Sequence, residues 1–157
     1  MWVKTTKEMI MTIEAGAVIG EERQVLHWHL PAGRTGGSLP DSRELWDVLW
    51  KNRATLRGVA HSHPGSGLPG PSQEDVTTFA AVEAALGRRL CWWITSEDTL
   101  VAFHWVGPDR HDYKGFIIQN TAEPAWVREL RKLSCYALPP GRITSLGTDE
   151  AFCNLLD

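Results

Sequence analysis

Apolar and polar positions along residues 16–30, GAVIGEERQVLHWHL, form two apolar runs around a polar turn at Gly20 to Glu22. Valine, leucine and tryptophan favour extended backbone, so the pattern predicts two strands joined by a tight reversal. PAGRTGGSLPD, dense in glycine and proline, follows as a loop. Asp41 or Ser42 can then cap a helix that runs through Asn52, where Leu45, Trp46, Val48, Leu49 and Trp50 give a broad apolar face, with Trp46 and Trp50 stacked one turn apart. LRGVAHS from Leu56 reads as a strand, and the glycines and prolines between Pro64 and Pro71 forbid its continuation.

A helix from Ser72 to about Leu86 is expected next, with Gly87 as its C-terminal cap and Val76, Phe79, Ala80, Val82 and Leu86 facing a sheet. LCWWIT and TLVAFHW, separated by Ser96-Glu97-Asp98, predict a hairpin, and GFIIQ from Gly115 another strand. Glu123 to Ser134, with Pro124 in the first turn, reads as a last helix. Residues 135–157 show little periodicity and read as a loosely attached extension of a domain comprising residues 1–134. Near the N-terminus, Thr5-x-x-Glu8 resembles a capping box, whereas EMIMTI fits a strand equally well, and both readings stay open.

Composition narrows the field. With 157 residues, 43% apolar and 22% charged, the chain has the profile of one ordinary globular domain. A net charge of −3 offers no basic footprint for nucleic acid. No apolar run approaches the thickness of a bilayer and no secretory leader is visible, so a cytoplasmic protein with no membrane partner is expected. Cys91, Cys135 and Cys153 are odd in number and widely spaced, and they read as free thiols. Most of the eight tryptophans are expected in the core, with Trp28 and Trp92 as candidates for an exposed partner-binding surface.

The chemistry concentrates in HSHPGSGLPGPSQED, which begins at His61. Residues two apart on a strand point to the same side, so His61 and His63 present two imidazoles to one face while Ser62 turns away. A catalytic zinc takes three protein ligands at about 2.0–2.2 Å and keeps a fourth position for water. Asp75, in the first turn of the helix beyond the loop, is the candidate third ligand. Zinc held in this way lowers the pKa of its water from about 15.7 to about 7 and polarises a carbonyl. A nearby Asp or Glu would take the water's proton and return it to the departing amine, and the Ser72 hydroxyl is a neutral donor suited to an oxyanion. Taken alone, Ser72-x-x-Asp75 also fits a plain helix start. His27-Trp28-His29 repeats the histidine spacing but has no carboxylate at a matching distance downstream, and it reads as structural.

Strand, His-x-His-Pro, a Gly/Pro loop and Ser-x-x-Asp together resemble the JAMM, or MPN+, signature of zinc-dependent peptidases in its compact prokaryotic form. The resemblance covers about Glu14 to Trp105. It implies a three-layer α/β/α fold with a mixed, curved β-sheet of the cytidine-deaminase-like kind, and a catalytic domain in residues 1–134. It also implies one zinc per chain held by His61, His63 and Asp75, with Ser72 stabilising the tetrahedral intermediate. The family's general base precedes a short apolar strand. Glu14, ahead of Ala-Gly-Ala-Val-Ile-Gly20, looks like that residue, although the element is one position shorter than the family pattern, and Glu21 and Glu22 remain rivals. The implied activity is cleavage after the C-terminal glycine of a ubiquitin-like protein, by deconjugation, precursor processing or both. Implied partners are that modifier and E1-like and E2-like proteins of a bacterial conjugation or antiphage operon. Three alternatives stand beside it: a non-catalytic scaffold of the same fold, a RadC-like DNA-associated protein, and a hydrolase releasing a small group from a carrier-protein glycine.

Overall fold

Alternation along the strands decides which side chains meet, and it gives this chain two separate cores on one sheet. The computed structural model describes residues 10–136. In chain order the elements are β1 (Ile10–Met11), β2 (Gly16–Ile19), β3 (Val25–His29), α1 (Arg43–Lys51), β4 (Gly58–Ser62), α2 (Gln73–Leu86), β5 (Cys91–Thr95), β6 (Leu100–Trp105), β7 (Tyr113–Ile118), α3 (Trp126–Leu133) and β8 (Cys135–Tyr136). Six strands form a mixed sheet in the order β3-β2-β4-β5-β6-β7, while β1 and β8 pair separately. Among the described residues only β4 and β5 run parallel, joined by the crossover through α2. The class is mixed α/β, with three α-helices and one short 3-10 turn (Asn120–Ala122) among the described residues.

One face of the sheet buries Ala17, Ile19, Ala60, Trp93, Leu100 and Ala102 with Trp126, Val127, Leu130 and Leu133 of α3. The other buries Val18, Trp92, Ile94, Val101 and Phe103 with Leu49 of α1 and Phe79, Val82 and Leu86 of α2. Trp93 meets Trp126 edge to face at 5.3 Å on the first side, and Trp92 stacks on Phe79 at 4.4 Å on the second. A side chain at position 58 is excluded, because a Cβ there would run into the Cys91 carbonyl oxygen. The parallel β4/β5 pair therefore depends on that glycine.

The sequence expectations hold for the element order from β2 to α3, whereas Cys135–Tyr136, expected to begin a loosely attached extension, form β8 and pair with β1, where Ile10–Met11 follow the strand reading of EMIMTI. Ser42 caps α1 through the Leu45 N–H, and Ser72 caps α2, which Gly87 ends in the left-handed conformation (φ 73°). Several details differ. Trp46 and Trp50 do not stack: Trp50 is exposed with the Arg53 guanidinium 3.9 Å above its ring, and the Trp46 indole N–H points to Asp41 at 3.4 Å. Trp92 is buried, donating its N–H to Glu83, so it cannot serve as an exposed partner surface, while Trp28 is half-buried at the edge of the α3-side core. Cys135 is disulfide-bonded rather than free. Cys91 is a free thiol whose pKa burial pushes up to about 12. The capping box at Thr5-x-x-Glu8 and the extension beyond Tyr136, including Cys153, lie outside the described residues. Among the described residues no helix is long and apolar enough to cross a membrane.

One buried carboxylate ties α2 to the sheet. Glu83 accepts hydrogen bonds from Arg89, the Leu90 N–H, the Trp92 indole and the Tyr113 hydroxyl. Removing it would leave several buried donors without an acceptor, a cost of about 3 kcal/mol. Glu83→Ala should therefore lower the urea unfolding midpoint substantially at constant slope; a shift worth less than about 1 kcal/mol would contradict this role.

Candidate metal centre

The antiparallel ladder between β2 and β4 sets the geometry of the site. Gly16 pairs with His61, and the Ser62 N–H bonds to the Ala15 carbonyl at 3.0 Å, which continues the same register one step further. Cross-strand partners share a face, so Glu14 falls opposite His63 on the side that carries His61. His63 lies just beyond the end of β4, yet it stays extended because its N–H bonds to the Thr95 carbonyl of β5 at 2.9 Å. Ser62 points to the opposite face, where its buried hydroxyl meets that of Ser134 at 2.6 Å.

Asp75 arrives from the other direction, as the third residue of α2. Ser72 and Asp75 form a reciprocal capping box: the Asp75 N–H donates to Ser72 Oγ and the Ser72 N–H to Asp75 Oδ2, both at 3.0 Å. The same Oδ2 stands 3.5 Å from His61 Nε2 and 3.2 Å from His63 Nε2, and the two nitrogens are 3.0 Å apart. Corners of a tetrahedron around a zinc with bonds of about 2.0–2.1 Å lie about 3.3–3.4 Å from one another. Thus the three donors already have the mutual spacing of three zinc ligands, and the group can hold a metal ion.

The loop between the histidines and the aspartate is fastened at its middle. The Gly67 N–H donates to Asp98 Oδ1 at 2.9 Å, the Ser96 hydroxyl donates to the Gly67 carbonyl at 2.6 Å, and the Glu97 N–H bonds to the Gly65 carbonyl at 2.9 Å. Gly65 and Gly67 both have positive φ, at 98° and 91°, which is why side chains are absent there. Arg131 of α3 braces this turn in its own right, donating to Thr95 Oγ1 and the Ser96 carbonyl while paired with Glu123.

Electrostatics separate the carboxylates. Burial raises the pKa of Glu14 above the usual carboxylate range, against the pull of His61 and His63 and with the help of the Asp75 charge. For Asp75 burial acts in the same direction but is outweighed by hydrogen bonds from both histidines and the Ser72 N–H, so its carboxyl stays well below the usual range. Burial lowers the basicity of His63, but the Asp75 hydrogen bond and charge reverse this and raise its pKa. The two carboxylates are thus shifted in opposite directions.

All five residues expected at the site line a single cavity of about 410 Å³: Glu14, His61, His63, Ser72 and Asp75. Its inner wall is apolar, with Leu45, Trp46, Phe79 and Val82 of the two helices. Glu21 and Glu22 are exposed in the β2–β3 turn, at the far end of β2 from Gly16, so of these three glutamates only Glu14 lines the cavity, which Glu74 of α2 lines as well. Sequence reasoning missed His29. It pairs with Gly16 on the same face and lines the cavity, and its Nε2–H donates to the Pro40 carbonyl at 2.7 Å. Burial lowers its pKa, which favours the neutral ring. Only the repeated His-x-His spacing hinted at it. His27, by contrast, is not among the cavity-lining residues.

No protein-family model matches the chain, and neither does any curated protein. What the site defines is therefore a class by chemistry: a two-histidine, one-carboxylate centre able to bind a metal, beside a partly buried glutamate. His63→Ala should abolish tight zinc binding in a calorimetric titration. Asp98→Ala should weaken it by up to about tenfold, as loss of supporting contacts around metal ligands does. Unchanged affinity in both variants would remove the centre from consideration.

Proposed function

We propose that the protein is a zinc-dependent peptidase or isopeptidase of the JAMM kind, with a three-layer α/β/α domain, which cleaves after the C-terminal glycine of a ubiquitin-like protein. The observation that carries this reading is the convergence of His61, His63 and Asp75 at zinc-ligand spacing in the same cavity as Glu14 and Ser72. When bound, zinc would acidify its water and polarise the scissile carbonyl. Glu14, its pKa raised by burial, takes the proton of the attacking water and delivers it to the departing amine. The Ser72 oxygen already accepts the Asp75 N–H, which leaves its own proton to donate to the oxyanion. A glycine at the cleaved position lets the substrate backbone approach the donors closely, as an extended tail in a narrow cleft requires.

The scaffold alternative would not need ligand atoms at these distances. The net charge of −3 favours a protein substrate over the DNA-associated alternative. Action in the cytoplasm, with E1-like and E2-like proteins as neighbours, belongs to the same proposal.

The wild-type protein and two variants separate the roles in a cleavage assay on modifier fusions. Wild-type protein should cleave and a chelator should stop it. Glu14→Gln should keep zinc and lose turnover. Ser72→Ala should keep most zinc, lower kcat by about 10²–10³-fold and cost about 1 kcal/mol from the lost cap. No cleavage of any modifier fusion by fully zinc-loaded protein would contradict the proposal.

A further inference from the structure

The position of Glu14 has to come from somewhere, because it lies in the irregular stretch between β1 and β2. Its peptide is held on both sides by the β3–α1 loop. The Glu14 N–H donates to the Thr35 carbonyl at 2.8 Å, and the Glu14 carbonyl accepts from Arg34 Nη1 at 3.2 Å. The same Nη1 donates to the Leu133 carbonyl, the last residue of α3, at 3.0 Å. Arg34 thus ties together the loop, the Glu14 segment and the C-terminal end of the helix on the opposite face of the sheet.

The loop that carries Arg34 is itself restrained. The Thr35 N–H bonds to the Ser38 carbonyl at 2.9 Å, and His29 holds the far end through Pro40. Gly36 packs so closely that a Cβ there would sit 2.7 Å from the Thr12 carbonyl oxygen. Beyond this anchor, Ser38, Leu39 and Pro40 line the cavity. The loop therefore forms a cavity wall and clamps the backbone of the residue that faces the metal donors.

We propose that Arg34 is a positioning residue for Glu14: its guanidinium fixes the Glu14 peptide, and through it the carboxylate, against the metal donors. This rests on the proposed hydrolase reading for its kinetic consequence, but its structural part does not. A competing view is that Arg34 serves α3 alone, as a cation at a helix C-terminus. That view predicts lower stability with an unaltered base. Positioning predicts that chemistry suffers while binding does not, since a small misplacement of a reacting group can cost about 10²-fold in rate.

The test uses the full chain carrying Arg34→Met, which keeps the apolar stem and removes the donors, and Arg34→Lys, which keeps a donor. In metal-free protein, amide hydrogen exchange at Glu14 should accelerate by about tenfold or more in Arg34→Met and less in Arg34→Lys. In zinc-loaded protein, Arg34→Met should lower kcat by about 10–100-fold with KM and zinc affinity near the wild-type values, and Arg34→Lys should recover part of the loss. Unchanged Glu14 exchange in folded Arg34→Met protein would overturn the proposal, as would a loss of stability with kcat intact. If the wild-type protein itself cleaves nothing, the hydrolase reading fails on its own, and the exchange measurement still decides whether Arg34 holds Glu14. If Arg34→Met does not fold, Arg34→Lys carries the same two readouts, and wild-type values for both would overturn the proposal.

Discussion

The register between β2 and β4 is the constraint on which everything at the site depends. Antiparallel pairing has a period of two, so a slip of one residue would send His61 and His63 into the α3-side core and turn Ser62 toward the cavity. Burial on both faces of the sheet prevents that slip. Ala17, Ile19 and Ala60 fill one core, while Val18 and Val59 face the other, and neither set can exchange places with the other without exposing apolar surface or burying imidazoles. Hydrophobic alternation far from the metal donors therefore specifies where the donors point.

A second economy lies at the start of α2. The Asp75 carboxylate closes the capping box and faces both imidazoles with one oxygen, so the interaction that starts the helix also aims the third donor. Asp75 stays anionic because it accepts several hydrogen bonds, whereas Glu14, with no hydrogen bond or ion pair to its carboxylate among the described residues, is pushed by burial toward the proton. Two carboxylates in one cavity are thus shifted in opposite directions by their surroundings.

Much of this was legible in the amino-acid order because it is local. His-x-His on a strand end, serine three positions before aspartate, and glycine after the last helical turn each state their geometry within a few residues. Glu14 was less secure because its place follows from pairing with a strand more than forty residues away, and only the register excludes Glu21 and Glu22. Long-range packing also explains the misses. Trp92 looked exposable until its indole found Glu83, Trp50 turned to Arg53 instead of Trp46, and His29 entered the cavity only through its pairing with Gly16. The disulfide at Cys135 was hidden by the odd cysteine count and wide spacing.

The site thus combines three side chains able to hold a metal ion, a glutamate whose backbone is bonded to a neighbouring loop, and a cavity lined in part by apolar side chains. The most direct test is an anomalous difference map at the zinc edge from crystals of the purified protein. A single strong peak about 2.0–2.2 Å from Nε2 of both His61 and His63 and from Oδ2 of Asp75, with no fourth protein ligand, is the predicted result. A peak held by other residues, or none in protein supplied with zinc, would contradict it.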